Sequence, residues 1–136
     1  MKIAIIGCGN IAEFHVPALR SVGFEIAYVA SSLNSSTVGE FANRHSIDNV
    51  FKNPIDLIES HEWDALLIAS PIETIIEYIH KAVVHNKPIL IEKPVALNYN
   101  DLNGVVDYEN VYVAYNRRFY KTTKYVEKFL KDHPKS

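Results

Sequence analysis

One cysteine, Cys8, is all that the 136-residue chain carries, so no intramolecular disulfide can form. That fits a reducing compartment or indifference to redox state, and the expected location is cytoplasmic. No apolar run approaches the roughly 20 residues that a membrane helix needs, so a soluble protein without a membrane partner is expected. The apolar start Ile3 to Ile6 is broken at once by Gly7, Gly9, Asn10 and Glu13, too short for a signal-peptide core. Repeats, low-complexity stretches and Gly/Ser linkers are missing. The six histidines are scattered, and none stands at metal-ligand or triad spacing from a carboxylate or nucleophile, so no metal is expected.

What is present is ordinary for one globular domain: 48% hydrophobic and 22% charged residues. A chain of this length buries roughly two-thirds of its unfolded surface, enough for one core and too little for two full domains. The net charge of −2 is unevenly spread. Up to residue 116 there are seven Lys/Arg against fourteen Asp/Glu, whereas residues 117–136 hold seven against two. Such a basic tail invites a nucleic-acid or anionic partner. Yet Lys121, Lys124, Lys128, Lys131 and Lys135 recur at helical spacing opposite Val126, Phe129 and Leu130, which reads instead as the solvated face of an amphipathic helix. No nucleic-acid partner is expected.

Two kinds of segment alternate along the chain. Nearly continuous β-branched runs at Lys2–Gly7, Glu25–Ala30, Ala65–Ala69, Ile89–Glu92 and Val111–Tyr115 predict buried parallel strands, with a weaker one at Asn49–Phe51. Between them, Ile72, Ile75, Ile76, Ile79, Ala82 and Val83 form one helical stripe. Further helices are expected over Ile11–Val22, with a kink at Pro17, and over Ser36–His45, Pro54–Ser60 and Asn98–Tyr108. Asn53 before Pro54 reads as an N-cap followed by proline at the first helical position. Strand, helix, strand, helix with right-handed crossovers predicts an α/β, doubly wound parallel sheet in the order 3-2-1-4-5-6, with function in the loops after the strands.

The first such loop is Gly7-Cys8-Gly9-Asn10-Ile11-Ala12, a G-x-G-x-x-A between a strand and a helix. Gly7 permits a tight turn, Gly9 lets backbone approach a pyrophosphate without a Cβ in the way, and Ala12 lets helix and strand pack closely. The free N–H groups at the helix start then face the phosphates. The alternative is a glycine-rich structural turn, but the strand-to-helix context favours a small-molecule dinucleotide on a Rossmann fold. Cys8 reads as a small buried filler.

Where an NAD-binding domain places a ribose-binding acid, about 20 residues beyond the glycines, this chain has Ser31, followed by Ser32. The stretch Ala30-Ser31-Ser32-Leu33-Asn34-Ser35-Ser36 has no carboxylate to repel a 2′-phosphate, so the cofactor is NADP or NAD, with NADP mildly favoured. The strand Ile89–Ile91 then ends in Glu92-Lys93-Pro94. There Lys93 either donates to a substrate hydroxyl and relays its proton, or forms a surface ion pair ahead of a turn proline.

Together with His15-Val16-Pro17-Ala18-Leu19, Ala69-Ser70-Pro71 and Asn116-Arg117-Arg118-Phe119, these motifs resemble, in order and spacing, the amino-terminal half of the glucose–fructose oxidoreductase / inositol dehydrogenase / MocA family. The resemblance covers about residues 1–120. It implies an NAD(P)-dependent oxidoreductase acting on a sugar, cyclitol or nucleotide sugar, with a Rossmann domain and a second α/β domain. It also implies that Lys93 is the active-site lysine and that Ala69-Ser70-Pro71 lines the cofactor, with Glu92, Asn116 and Arg117 near it. The family often has Asn and His where Ile72 and Ile75 stand. His15 occupies a place where it often has His, and on a helix it reads as structural.

The resemblance gives a second catalytic motif, an Asp and a His, to the carboxyl-terminal domain, and the sequence ends at Ser136 before any such domain. The expectation is therefore a nucleotide-binding domain over 1–118 and an amphipathic basic helix over 119–136 that starts an absent catalytic domain. Such a chain is incomplete as an enzyme alone and works with that domain in trans or as a homo-oligomer. A non-catalytic nucleotide sensor or assembly partner, and a degenerate domain that binds nothing, stand beside this reading.

Overall fold

The computed structural model describes residues 1–32, 35–105 and 107–134. Six parallel strands, β1 (Lys2–Ile6), β2 (Glu25–Ala30), β3 (Asn49–Phe51), β4 (Ala65–Ile68), β5 (Ile89–Ile91) and β6 (Val111–Val113), form one sheet in the order β3-β2-β1-β4-β5-β6. That is the expected doubly wound order, with its reversal between β1 and β4. The helices are α1 (Asn10–Ser21), α2 (Thr37–Arg44), α3 (Pro54–Glu59), α4 (Ile72–Ala82) and α5 (Lys121–Asp132).

Side chains alternate across a strand, so β1 feeds two cores. Ile3 and Ile5 join Val16, Val29, Phe41 and Leu67 under α1 and α2. Ala4 and Ile6 join Leu57, Trp63, Ile68 and Ile79 under α3 and α4. The stripe read on α4 is the buried one: Ile75, Ile79, Ala82 and the following Val83 are all in the core. Asn53 caps α3, its side-chain oxygen accepting the Ile55 N–H at 2.9 Å, with Pro54 in the first turn as expected. The helix α1 runs unbroken through Pro17, whose missing N–H leaves one carbonyl without its intrahelical donor.

One expected helix does not form. Among the described residues of 98–108, which leave out Val106, there is only a short 3-10 turn over Tyr99–Leu102, closed by a capping box in which Asp101 accepts the Asn98 backbone N–H at 3.2 Å. The reason is local. Asn98, Asn100, Asp101 and Asn103 are poor helix formers, Asn98 and Asp101 bond nearby backbone instead, and Gly104 follows in a left-handed conformation at φ +78°.

Of the helix expected over 119–136, α5 covers Lys121–Asp132, with Lys121, Lys124, Lys128 and Lys131 in water. Its apolar side, Tyr125, Val126, Phe129 and Leu130, is exposed as well. Lys135, the last lysine of that series, lies outside the described residues, as do Leu33 and Asn34 after β2. Among the described residues no helix is long and apolar enough to cross a membrane. No group of three His, Cys, Asp or Glu among them is placed to hold a metal.

Candidate functional site

In a parallel sheet every strand delivers its following loop to the same edge, and the candidate residues collect there. The loop after β1 is held between its neighbours. The Gly7 N–H donates to Ala30 O at 2.9 Å at the end of β2, and the Ala69 N–H donates to Ile6 O at 2.7 Å. Gly7 itself sits at φ +94°, and a Cβ there would come within 2.4 Å of Ala69 O and 2.7 Å of Ser70 N. Only glycine meets both the conformation and the contact.

Gly9 is a different case. It is extended at φ −89°, and a Cβ on it would meet nothing within 4 Å. As the N-cap of α1 it brings no side-chain hydrogen bond, so the opening N–H groups of the helix, with exposed Asn10 and Ile11, face free space. Ala12 is fully buried and its N–H closes back on Gly9 O at 3.0 Å, which keeps α1 tight on the sheet. Cys8 is buried as expected, 3.7 Å from Ala30 O, and its thiol is pushed up to about 12 by burial and by the negative charge of Glu13.

Half-buried Ser31 and exposed Ser32 stand at the end of β2. After β4, the loop Ala69-Ser70-Pro71 turns directly into α4, and the Thr74 hydroxyl reaches Ser70 Oγ at 3.0 Å. Of the positions where the resemblance led to Asn and His, Ile72 opens α4 and Ile75 is buried in the core, so Ile75 brings no side chain to the site.

The end of β5 bears on the surface ion pair, one of the two readings of Lys93. Glu92 is not paired with the Lys93 ammonium. Its Oε1 lies 2.7 Å from His15 Nε2 on α1, and its Oε2 accepts the Lys93 backbone N–H at 3.1 Å. Glu92, expected beside the nucleotide, stands at this edge with both its carboxylate oxygens engaged within the protein. The Lys93 side chain is exposed and shares an open groove of about 310 Å³ with Tyr115, Asn116 and Arg117. Arg118 turns away, donating to Val113 O at 2.8 Å and Tyr115 O at 3.1 Å. The structure thus brings Gly7–Ala12, Ser31, Ser32, Ala69–Pro71 and Glu92–Lys93 to one edge and adds Asn116 and Arg117 beside Lys93. Sequence reasoning missed the His15–Glu92 contact. Its one available signal was a polar side chain on α1, the helix packed over this edge.

A nucleotide would need an anion-ready helix end with no Cβ in front of it, and Gly9 with the uncapped start of α1 provides that. Residues 1–112 match the family described as oxidoreductase family, NAD-binding Rossmann fold, GFO_IDH_MocA. The chain belongs to the Gfo/Idh/MocA oxidoreductase family. It is 27% identical over 129 residues to the myo-inositol 2-dehydrogenase of Thermotoga maritima, covering 91% of this chain and 39% of that protein. Its identity to the oxidoreductase P35 of Formosa agariphila is 34% over 104 residues, covering 76% and 32%. Among solved structures, an oxidoreductase from Thermotoga maritima superposes with a TM-score of 0.87 at 29% identity, covering 97% of this chain and 43% of that one. The myo-inositol dehydrogenase of Lactobacillus casei, solved with NAD(H) and myo-inositol, gives 0.87 at 21% identity over 97% and 41%, a likeness of fold. The chain thus spans about a third to two-fifths of the length of these relatives.

Proposed function

We propose that this chain binds NAD(P) across the ends of β1, β2 and β4 and supplies Lys93 to an oxidoreductase reaction on a sugar, cyclitol or nucleotide sugar. The observation that carries the reading is the empty space over Gly9 beside the uncapped start of α1. Bound there, the pyrophosphate accepts hydrogen bonds from the N–H groups of Asn10 and Ile11 and gains from the positive end of the helix. Ala69, Ser70 and Pro71 line the cofactor further along, where the Gly7 contact holds their backbone in place.

The nicotinamide, when bound, gives or takes the hydride. The chain's part is to hold a proton carrier nearby. Exposed Lys93 donates to a substrate hydroxyl oxygen, while Asn116 and Arg117 complete the same groove. The family relatives named inositol dehydrogenases support a polyhydroxylated substrate. Residues 1–118 act as the nucleotide-binding unit. Residues 119–136 extend from it as a basic amphipathic segment, and the substrate is fixed jointly with a further domain or a second copy.

Ser31 and Ser32 at the end of β2 place hydroxyls where an acid would repel a 2′-phosphate, so NADP binds more tightly than NAD. Fluorescence titration with NADPH and NADH measures both parts of the reading. Ser31→Asp then turns the preference toward NAD. Failure of either nucleotide to bind the folded chain sinks the proposal, and tighter NADH binding by the unaltered chain sinks the NADP preference.

A further inference from the structure

We propose that His15 is a positioning residue for Lys93, acting through Glu92: by holding the Glu92 carboxylate it keeps that charge off the lysine and leaves the ammonium free for the groove. The functional meaning rests on the role given above to Lys93, whereas the contact itself does not.

His15 and Glu92 are 77 residues apart and follow strands that are not neighbours, since β4 lies between β1 and β5. The pair is largely shielded, with the two side chains 18% and 13% exposed, so its 2.7 Å contact is a held one and not a passing surface encounter. Each carboxylate oxygen has its own task, Oε1 on the His15 ring and Oε2 on the Lys93 backbone N–H. A carboxylate fixed at both oxygens has its rotamer set. It cannot also swing out to meet the ammonium of the next residue.

The consequence lies in the groove. Its lining contains two cationic side chains, Lys93 and Arg117, with Tyr115 and Asn116 and no carboxylate. Such a lining favours an electron-rich oxygen, an alcohol giving up its proton or an anionic group. Remove the histidine and the Glu92 carboxylate, one residue from Lys93, is free to pair with its ammonium. The groove would then be neutralised from within, although no residue lining it had changed. His15 also stands on α1, whose first N–H groups face the proposed pyrophosphate site, so one contact ties the nucleotide helix to the lysine-bearing strand end.

The experiment is competitive acylation of the folded 136-residue chain with a limiting N-hydroxysuccinimide ester, read by mass spectrometry as labelling of Lys93 relative to Lys52. His15→Ala is expected to lower the relative labelling of Lys93 about threefold or more, because an ion-paired ammonium gives up its proton less readily. The double substitution His15→Ala with Glu92→Gln restores it, since the amide brings no charge to the lysine. Support for the groove alone would not produce that rescue. His15→Phe, which keeps a ring on the helix without the ring nitrogens, is measured beside His15→Ala so that a folding defect in one leaves the other to decide. Labelling of Lys93 that ignores both His15 substitutions, or a loss that Glu92→Gln does not reverse, overturns the proposal. NADPH titration of the same samples is read separately. Absence of nucleotide binding with the labelling pattern intact would remove the cofactor reading and leave the positioning role of His15, and the opposite result would do the reverse.

Discussion

The two sides of Glu92 are built differently. Before it, the sheet carries a buried core on each face, and every buried apolar residue among those described except Val105 lies there. After it, β6 pairs on one edge only, the expected helix over Asn98–Tyr108 is a short 3-10 turn, and Leu97, Tyr99, Tyr112, Tyr115, Phe119 and Phe129 are exposed. The glycine loop therefore belongs to a region whose backbone is over-determined by packing, while Lys93 opens a region held by few contacts. Nucleotide affinity should consequently be set by rigid geometry, and the lysine side of the groove by weaker local contacts.

The largest expected effect comes from the tightest point of the packed region. Gly7→Ala places a methyl 2.4 Å from Ala69 O and forces an L-residue to φ +94°. A loss of about 3 kcal/mol is expected in urea unfolding, from left-handed strain together with overpacking against backbone that cannot yield. A loss below about 1 kcal/mol would mean that the loop is softer than the contact implies. Gly9→Val turns the same chemistry to opposite effect. With nothing within 4 Å of the added Cβ, the cost is confined to the poorer N-cap, and unfolding stability should fall by no more than about 1 kcal/mol. NADPH affinity should fall at least about tenfold, or 1.4 kcal/mol. Equal nucleotide affinity in the folded variant would remove the phosphate-loop assignment.

A smaller effect tests the opposite rim of the packed region. The Nε2 of His85 is buried with no hydrogen-bond partner among the described residues. Its ring stands edge-on to His61 at 4.2 Å and to Trp63 at 5.6 Å, and Lys87 donates to Trp63 O at 2.6 Å. Burial first, then the charges of His61 and Lys87, hold the imidazole below its ordinary 6.5. The folded state thus prefers the neutral ring, and below pH 6.5 the unfolded chain takes up the proton more readily. The contribution is present above that value and is lost as pH falls toward the lower folded value. The thermal midpoint should drop between about pH 7 and 5.5 more steeply for the unaltered protein than for His85→Phe. Parallel curves would show that His85 titrates alike in both states.

Much of the packed region was legible because its signals are local and redundant. Buried parallel strands read as continuous β-branched runs, and the spacing of Ile75, Ile79, Ala82 and Val83 fixed the inner face of α4. The strand order followed from alternation and the handedness of crossovers, and Gly7 and Ala12 proved to be wanted for packing reasons that the motif itself encodes. Two things were not legible. The failure of the Asn98–Tyr108 helix turned on a balance between scattered apolar residues and four Asn/Asp side chains that compete for the backbone, which periodicity alone does not weigh. The His15–Glu92 contact depends on where α1 crosses the sheet edge, a three-dimensional fact with no counterpart in spacing along the chain.

The smallest expected effect sharpens the comparison from its open side. Phe129 lies on α5, 51% exposed, and its one aromatic partner among the described residues is His133, stacked at 4.5 Å at the C-cap of the helix. An aromatic ring inside the packed region, such as Phe41 at 0% exposure, should cost about 3–5 kcal/mol when cut to alanine. Phe129→Ser removes little buried area and leaves no cavity, so unfolding should change by no more than about 0.5 kcal/mol. Hydrogen exchange gives the same contrast by another route: amides of α5 should exchange through local fraying, whereas those of β1 and β4 should require global opening. If Phe129→Ser instead costs as much as a core substitution in urea unfolding of the dilute protein, α5 is docked on the sheet in solution. The open region would then end at Tyr120 and not include the helix.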